Sequence, residues 1–396
     1  MASLILVGAS VRAAAWSAWR AGFHELYAAD LFADVDLRRI ARAVRVDMDR
    51  YPHGLVAAAA SFPNGPLLYT GGLENHPRVV AALAARRTLW GVDPAALRRA
   101  RDPYLVASLL AETGLAHPRV MREAPADGRW LVKPRRGAGG AGVRFFRSGE
   151  ATPRGCFLQE FIEGESYGAV YCGDAAGATL LGLTRQLVGE AWVHATGFRY
   201  CGSIGPIPLD ETATNDLRRL GDLLARSLGL RGLFGVDLIL HAGRFYPVEI
   251  NPRYTASIEV LERATGLRSV KIHATAFSAS NVRVVRSRRE RTPQATDVAA
   301  KPEPVDSRYE STTRTAGKVI LFARDDLLFP ADDPWHESMS GHWNNFTPSL
   351  ADIPQPNSLI RRGEPIMTLF AEAPTPQAVL ESLQEKVGDI ETRLYR

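Results

Sequence analysis

The sequence predicts a chain that begins as α/β and continues as α+β. Three observations carry this: a strand–glycine–helix–strand run at the N-terminus, a change after residue 114 to short β-rich segments separated by glycine, and a polar stretch at 284–313 after which strands resume. With 396 residues and 46% hydrophobic content, the chain can fill two or three domain cores. Its formal net charge is +5 and its pI about 9.2. Much of the excess sits in RVVRSRRERTPQ, residues 283–294, which reads better as a solvated linker than as a nucleic-acid arm. No nucleic-acid partner is therefore expected. No apolar run approaches bilayer-spanning length, so no membrane association is expected either. MASLILVGAS turns to glycine after four apolar residues and reads as a strand rather than a signal peptide. Cys156, Cys172 and Cys201 show no CxxC spacing and suit a reduced, cytoplasmic protein.

Residues 3–30, SLILVGASVRAAAWSAWRAGFHELYAAD, read as strand, turn, amphipathic helix and second strand, with Ser10 placed to cap the helix. RRIARAVRVD and PLLYTGG extend the pattern to about residue 90, a small parallel sheet covered by helices. Gly8 followed by Asp30 has the outline of a dinucleotide fingerprint, but Ser10 and Ala13 stand where further glycines belong, and a structural turn is the preferred reading. From Pro94 the pattern is helical as far as ETGLAHP, where Gly114 can close a helix. The β-rich part follows, then a helix over 212–229, a hairpin (LFGVDLIL, the turn HAGR, FYPVEIN) and a helical stretch over 257–280. Beyond the linker, GKVILFA and SLIRRGEPIMTLFA read as strands, closed by a polar helix over 375–393. The expected division is 1–93, 94–283, a linker at 284–313, and a small β-rich domain at 314–396.

LVKPRRGAGGAGVRFF sets Lys133 at a strand end beside a loop holding Gly137, Gly139, Gly140 and Gly142. Such a loop lets backbone N–H groups approach phosphate oxygens, and the lysine adds a mobile positive charge. It is not a Walker loop, because no GK[ST] occurs and a strand follows; a flexible hairpin loop is the plainer alternative. In FLQEFIEGESYGAVY, Glu160, Phe161 and Ile162 can offer backbone groups and apolar faces to a purine, and Glu165 a carboxylate to ribose hydroxyls. Alone, this is an ordinary strand with a polar turn. Glu249 and Asn251 are two apart and share one strand face, and with Asp237 they supply the hard oxygens that Mg²⁺ prefers. The alternative is a solvent-facing polar pair. A two-residue turn at Ala242 and Gly243 would set Asp237 opposite Val248 and on the wrong face, so a three- or five-residue loop or a bulge is expected.

Taken in order, LVKPRRGAGGAGV, LQEFIEGESY, GLFGVDLIL and YPVEINPR resemble the ATP-grasp superfamily of ligases over about residues 95–280. The resemblance implies a pre-ATP-grasp N-terminal domain and a two-subdomain ATP-grasp fold. It places Lys133 on the ATP phosphates with Gly137 to Gly142 as the loop closing on them. Glu160, Phe161 and Ile162 become the hinge at the adenine, and Glu165 the ribose ligand. Asp237, Glu249 and Asn251 become ligands of two Mg²⁺ ions, or Mn²⁺ in their place, although the family more often has a second Glu at Asp237. Arg253 matches the arginine that stabilises an acyl phosphate. Many relatives have Asp-Lys where this chain has Asp102-Pro103, so Arg135 or Arg136 is expected to compensate.

The implied reaction is carboxylate activation by ATP followed by amine attack, on small-molecule carboxylate and amine substrates, with a homodimer compatible. Arg185 and Arg199 are candidate substrate clamps, their alternative being surface arginines. Glu74 and Asn75, in the turn after PLLYTGG, are a second candidate lining. His194 and His273 read as structural. The whole-chain layout is also similar to ATP-grasp proteins of methanopterin or methanofuran biosynthesis, which would imply adding an amino acid such as glutamate to a cofactor precursor. Rival readings are a biotin-carboxylase-like enzyme, for which no Met-Lys-Met hairpin is present, a small-molecule kinase, and a non-catalytic nucleotide-binding protein.

Overall fold

The computed structural model describes residues 3–123, 127–278, 314–331 and 348–395. The expected linker at 284–313 lies outside the described residues. The N-terminal run forms a five-stranded sheet in the order Arg42–Arg45, Leu26–Asp30, Leu4–Val7, Leu67–Tyr69, Leu89–Trp90, with parallel pairing throughout. The turn after Leu67–Tyr69 carries Glu74 out at the carboxyl end of the sheet, beside the central strand where the order reverses, the usual place for a ligand crevice. Asp30 is structural: its carboxylate accepts from the backbone N–H groups of Val11 (3.0 Å), Phe32 (3.1 Å) and Ala33 (2.7 Å). Through Val11 it satisfies a backbone donor at the start of the helix Arg12–Arg20, the task expected of Ser10, and through Phe32 and Ala33 it closes the turn after its own strand.

The segment from 94 divides into the helices Pro94–Ala100 and Pro103–Thr113, because Asp93 and Asp102 each cap a new start with proline behind them. Gly114, left-handed at φ 69°, ends the second. Besides a two-stranded antiparallel pairing of Leu327–Leu328 with Leu359–Ile360, two larger antiparallel sheets follow. The smaller has the order Val120–Met121, Cys156–Glu160, Trp130–Pro134, Arg144–Phe145. The larger has eight strands in the order Arg244–Asn251, Gly232–His241, Glu165–Gly173, Ala178–Val188, Tyr200–Gly205, Thr315–Phe322, Pro365–Ala373, Leu350–Ala351. The C-terminal strands therefore continue the large sheet: Gly202 pairs with Val319 and Gly205 with Ala316. The helix Pro376–Leu394 seals this end, burying Val379, Leu383 and Val387 against Val319 and Leu369.

A buried ionic cluster holds the helix Ala256–Thr265, whose start borders the candidate site. Arg12 pairs with Glu259 on that helix and with Asp352 at 2.9 Å, and Lys318 reaches Glu259 at 3.1 Å. On the same helix Glu262 accepts from the Ser17 hydroxyl and from the Ser269 N–H through one oxygen, while the other is buried without a hydrogen-bond partner among the described residues and has the Arg20 guanidinium 3.7 Å away. Burial pushes this carboxyl up to about 7. Its folded pKa lies above the unfolded one, so its contribution to stability is complete below the ordinary carboxylate range and is lost as pH rises through about 7. Glu262→Gln should therefore gain on the wild type by about 1–3 kcal/mol between pH 5 and pH 8. Thermal midpoints of both proteins across that range check it, and parallel curves refute it. His273 is structural as expected: Nδ1 accepts from the Leu233 N–H at 2.9 Å, Nε2 faces the Trp90 carbonyl at 3.1 Å, and burial lowers its pKa to about 4.

Candidate active site

The hairpin 232–251 closes through two residues in left-handed conformation, Ala242 (φ 47°) and Gly243 (φ 75°), so the turn is of the two-residue kind. The register runs from His241 opposite Arg244 to Leu238 opposite Pro247, then jumps to Asp237 opposite Glu249. Val248 is the extra residue. This bulge, one of the alternatives the spacing demanded, brings Asp237 to the face of Glu249 and Asn251. It also gives the Val248 carbonyl a use: it accepts from Lys133 Nζ and from Gln159 Nε2, each at 3.1 Å, and so docks the small sheet onto the large one.

Between the two sheets lies a cavity of about 410 Å³ whose walls include Lys133, Gly139, Gly140, Glu160, Phe161, Ile162, Asp237, Glu249, Asn251 and Arg253. A chain of hydrogen bonds crosses it. Gln186 Nε2 donates to Asp237 at 2.8 Å, Asn251 Nδ2 to the other Asp237 oxygen at 3.0 Å, Arg253 to Asn251 Oδ1 at 3.1 Å, and Arg253 Nε to Glu74 at 2.8 Å. Glu249 pairs with Arg101 at 2.7 Å. Burial and the neighbouring Glu249 push Asp237 up to about 6. Burial would raise Glu249 as well, but Lys133, Arg101 and Arg253 outweigh it and hold the carboxyl below its usual range. Lys133 is lowered, by burial first, with Glu249 and Asp237 opposing.

Two facing carboxylates and an amide oxygen are a hard donor set that suits Mg²⁺, leaving positions for phosphate oxygens and water. A dication between Asp237 and Glu249 would favour both ionised forms and offset the burial and repulsion that raise Asp237. Among the described residues there is no group of three His, Cys, Asp or Glu placed to hold a metal, so Asn251 is needed to complete the set.

The glycine loop is folded down onto the segment 198–200: the Tyr200 N–H donates to the Gly139 carbonyl at 3.2 Å, and a Cβ on Gly140 (φ 79°) would lie 1.8 Å from the Phe198 carbonyl oxygen. Gly140→Ala cannot adopt this closed position. It should cut ATP-dependent turnover on the order of a hundredfold while leaving the thermal midpoint nearly unchanged; steady-state kinetics with a melting curve check this, and near-wild-type turnover refutes it.

Five expected site residues stand outside this cavity. Gln186 lines the cavity, so Arg185, its neighbour on the strand, faces away, opposite the buried Tyr167. The same alternation turns Glu165 away, because Ser166 and Gly168 line the cavity, and its carboxylate instead accepts from the Tyr167 hydroxyl at 2.8 Å. Arg199 donates to the Gly363 carbonyl at 2.7 Å and stacks over Phe322, fastening the C-terminal strands. Gly142 flanks Pro134 outside the walls. Gly137 borders a smaller neighbouring cavity, and its carbonyl accepts from Asn75 at 3.1 Å. Glu160 lines the site, but Arg119 holds its carboxylate. Conversely Arg101, Gln159 and Gln186 enter the site without having been singled out in the sequence. Their signals were adjacency to Asp102-Pro103 and strand alternation.

Residues 100–257 match the family model described as the ATP-grasp domain. The large chain of carbamoyl phosphate synthase from Myxococcus xanthus (strain DK1622) is 26% identical over 238 residues, 54% of this chain and 22% of that protein. The chain thus spans about a fifth of that relative's length. Among solved structures, an L-amino acid ligase from Bacillus licheniformis aligns with a TM-score of 0.65 and 14% identity, over 98% of this chain and 97% of that one. The biotin carboxylase domain of Hydrogenobacter thermophilus 2-oxoglutarate carboxylase, solved with MgADP and bicarbonate, aligns with a TM-score of 0.66 and 15% identity, over 96% of this chain and 88% of that one. At such identities these two establish the fold alone. No helix among the described residues is long and apolar enough to cross a membrane. The family match covers the small sheet and the first five strands of the large one as far as the start of the helix Ala256–Thr265, so residues 100–257 of this chain form an ATP-grasp domain.

Proposed function

We propose that the chain is an ATP- and Mg²⁺-dependent carboxylate–amine ligase that works through an acyl phosphate and releases ADP and phosphate. The observation that carries this is the cavity gathering Lys133, the glycine loop, Asp237, Glu249, Asn251 and Arg253 at one place. In this reading a substrate carboxylate oxygen takes the γ-phosphoryl group as the bond to ADP breaks. The amine nitrogen then attacks the acyl carbon, loses a proton, and phosphate leaves. Bound Mg²⁺ would neutralise phosphate charge, held by Asp237, Glu249 and Asn251. Lys133 orients the phosphates, Gly139 and Gly140 close the backbone over them, and residues 160–162 border the adenine. Arg253, with Glu74 fixing its guanidinium, faces the charge that develops on the acyl phosphate. Catalysis then rests on positioning and electrostatics, as phosphoryl transfer generally does.

For substrates, the whole-length likeness in fold to an L-amino acid ligase makes amino acids the first class to try on both the carboxylate and the amine side. Addition of glutamate to a pterin or furan one-carbon cofactor precursor is the finer proposal, resting on the layout of the C-terminal strands. The test is a screen reading ADP release and product mass, with amino acids against amines and such precursors. A phosphorylated acceptor formed without any amine would overturn the ligase reading in favour of a kinase.

A further inference from the structure

Arg101 follows the helix Pro94–Ala100 and precedes Asp102, which caps the next helix, so its backbone is fixed on both sides. Its guanidinium reaches four oxygens: Glu249 Oε1 at 2.7 Å, Asn75 Oδ1 at 3.2 Å, and the Gly137 and Arg135 carbonyls at 3.2 and 3.4 Å. Its Nε is buried with no hydrogen-bond partner among the described residues. One side chain thus holds a carboxylate of the metal-binding set, both ends of the Arg135–Gly137 stretch that opens the glycine loop, and an unspent buried donor. Pro103 presents no cation to this space. The two arginines expected to compensate do not fill it, since the Arg135 guanidinium stacks over the Tyr104 ring and Arg136 is exposed.

We infer that Arg101 is the second phosphate-binding cation of this site, held on Glu249 until a divalent ion takes that carboxylate and then turned onto the nucleotide phosphates. The inference rests on the ligase reading above. The charge accounting requires the exchange: Glu249 Oε1 cannot serve a metal and the guanidinium fully at once, and the metal arrives together with an anion rich in acceptors. Arginine suits the role because its planar fork can keep the loop carbonyls on one edge while the other engages phosphate. Arg101 is thereby also a positioning residue for the glycine loop.

The experiment compares binding of a non-hydrolysable ATP analogue to the wild type, Arg101→Met and Arg101→Lys, each with and without Mg²⁺, with thermal melts alongside. With Mg²⁺, Arg101→Met should weaken binding about tenfold to a hundredfold, the loss of one charge-assisted contact. Without Mg²⁺ the loss should be under threefold, because Arg101 then stays on Glu249. Arg101→Lys should keep part of the Mg²⁺-dependent affinity and remains the informative variant if the methionine protein does not fold. Equal losses with and without Mg²⁺ would mark a purely structural latch and overturn the inference, as would unchanged affinity. Failure of the wild type to bind the analogue with Mg²⁺ would overturn the ligase reading itself, which separates the two failures.

Discussion

Glu249→Gln should lower Mg²⁺-dependent ADP formation on the order of a thousandfold, and no Mg²⁺ concentration should restore it. The substitution keeps the shape of the side chain and an oxygen that Arg101 can still reach, so the hairpin and its bulge at Val248 stay in place. What is lost is the negative charge facing Asp237 across the strands. That loss also relaxes Asp237, which Glu249 helps push up to about 6, so the remaining carboxylate ionises more readily yet has no partner with which to hold a dication. Adding Asn251→Ala removes the third oxygen and the donor to Asp237, and should abolish the residual turnover. ADP release measured against Mg²⁺ concentration, with a melting curve as the control for folding, decides the matter. Activity within tenfold of the wild type would refute the metal assignment.

Much of this site was legible because strand alternation and turn chemistry are local. Glu249 and Asn251 share a face by period alone, and Asp237 could join them only through an odd loop or a bulge; the bulge is what occurs. Alternation also puts Gln186 and Ser166, not the expected Arg185 and Glu165, on the cavity wall, because a sequence does not say which face of a central strand meets the ligand. Arg199 misled for a different reason. Its glycine-flanked loop does approach something, but that something is Gly363 and Phe322, more than a hundred residues away. The C-terminal strands, expected as a small domain of their own, join the large sheet through pairing of Tyr200–Gly205 with Thr315–Phe322. Nothing local encodes such a pairing, since edge strands offer unpaired backbone groups without naming a partner. Arg101 escaped notice because its partners come from residues 75, 135–137 and 249.

Arg253→Ala should lose both stability and turnover, and a second substitution should separate the two. Arg253 faces Glu74, whose side chain is 1% exposed and whose Oε2 is buried without a partner among the described residues. Removing the guanidinium strands that carboxylate in a low-dielectric site, at a cost of about 3–5 kcal/mol. Arg253→Ala with Glu74→Gln removes the stranded charge and should regain most of the lost stability. Turnover should not return, because the double variant still lacks the cation facing the acyl phosphate. Its kcat should stay on the order of a hundredfold to a thousandfold down, with KM for ATP changed far less, the pattern of an interaction made chiefly in the transition state. Arg253→Lys keeps the charge but not the fork that spans Glu74 and Asn251, and should fall between the two. If the double variant instead recovered turnover along with its melting temperature, Arg253 would be a strut for the turn that carries Glu74, and the charge facing the acyl phosphate would have to come from Lys133 or Arg101.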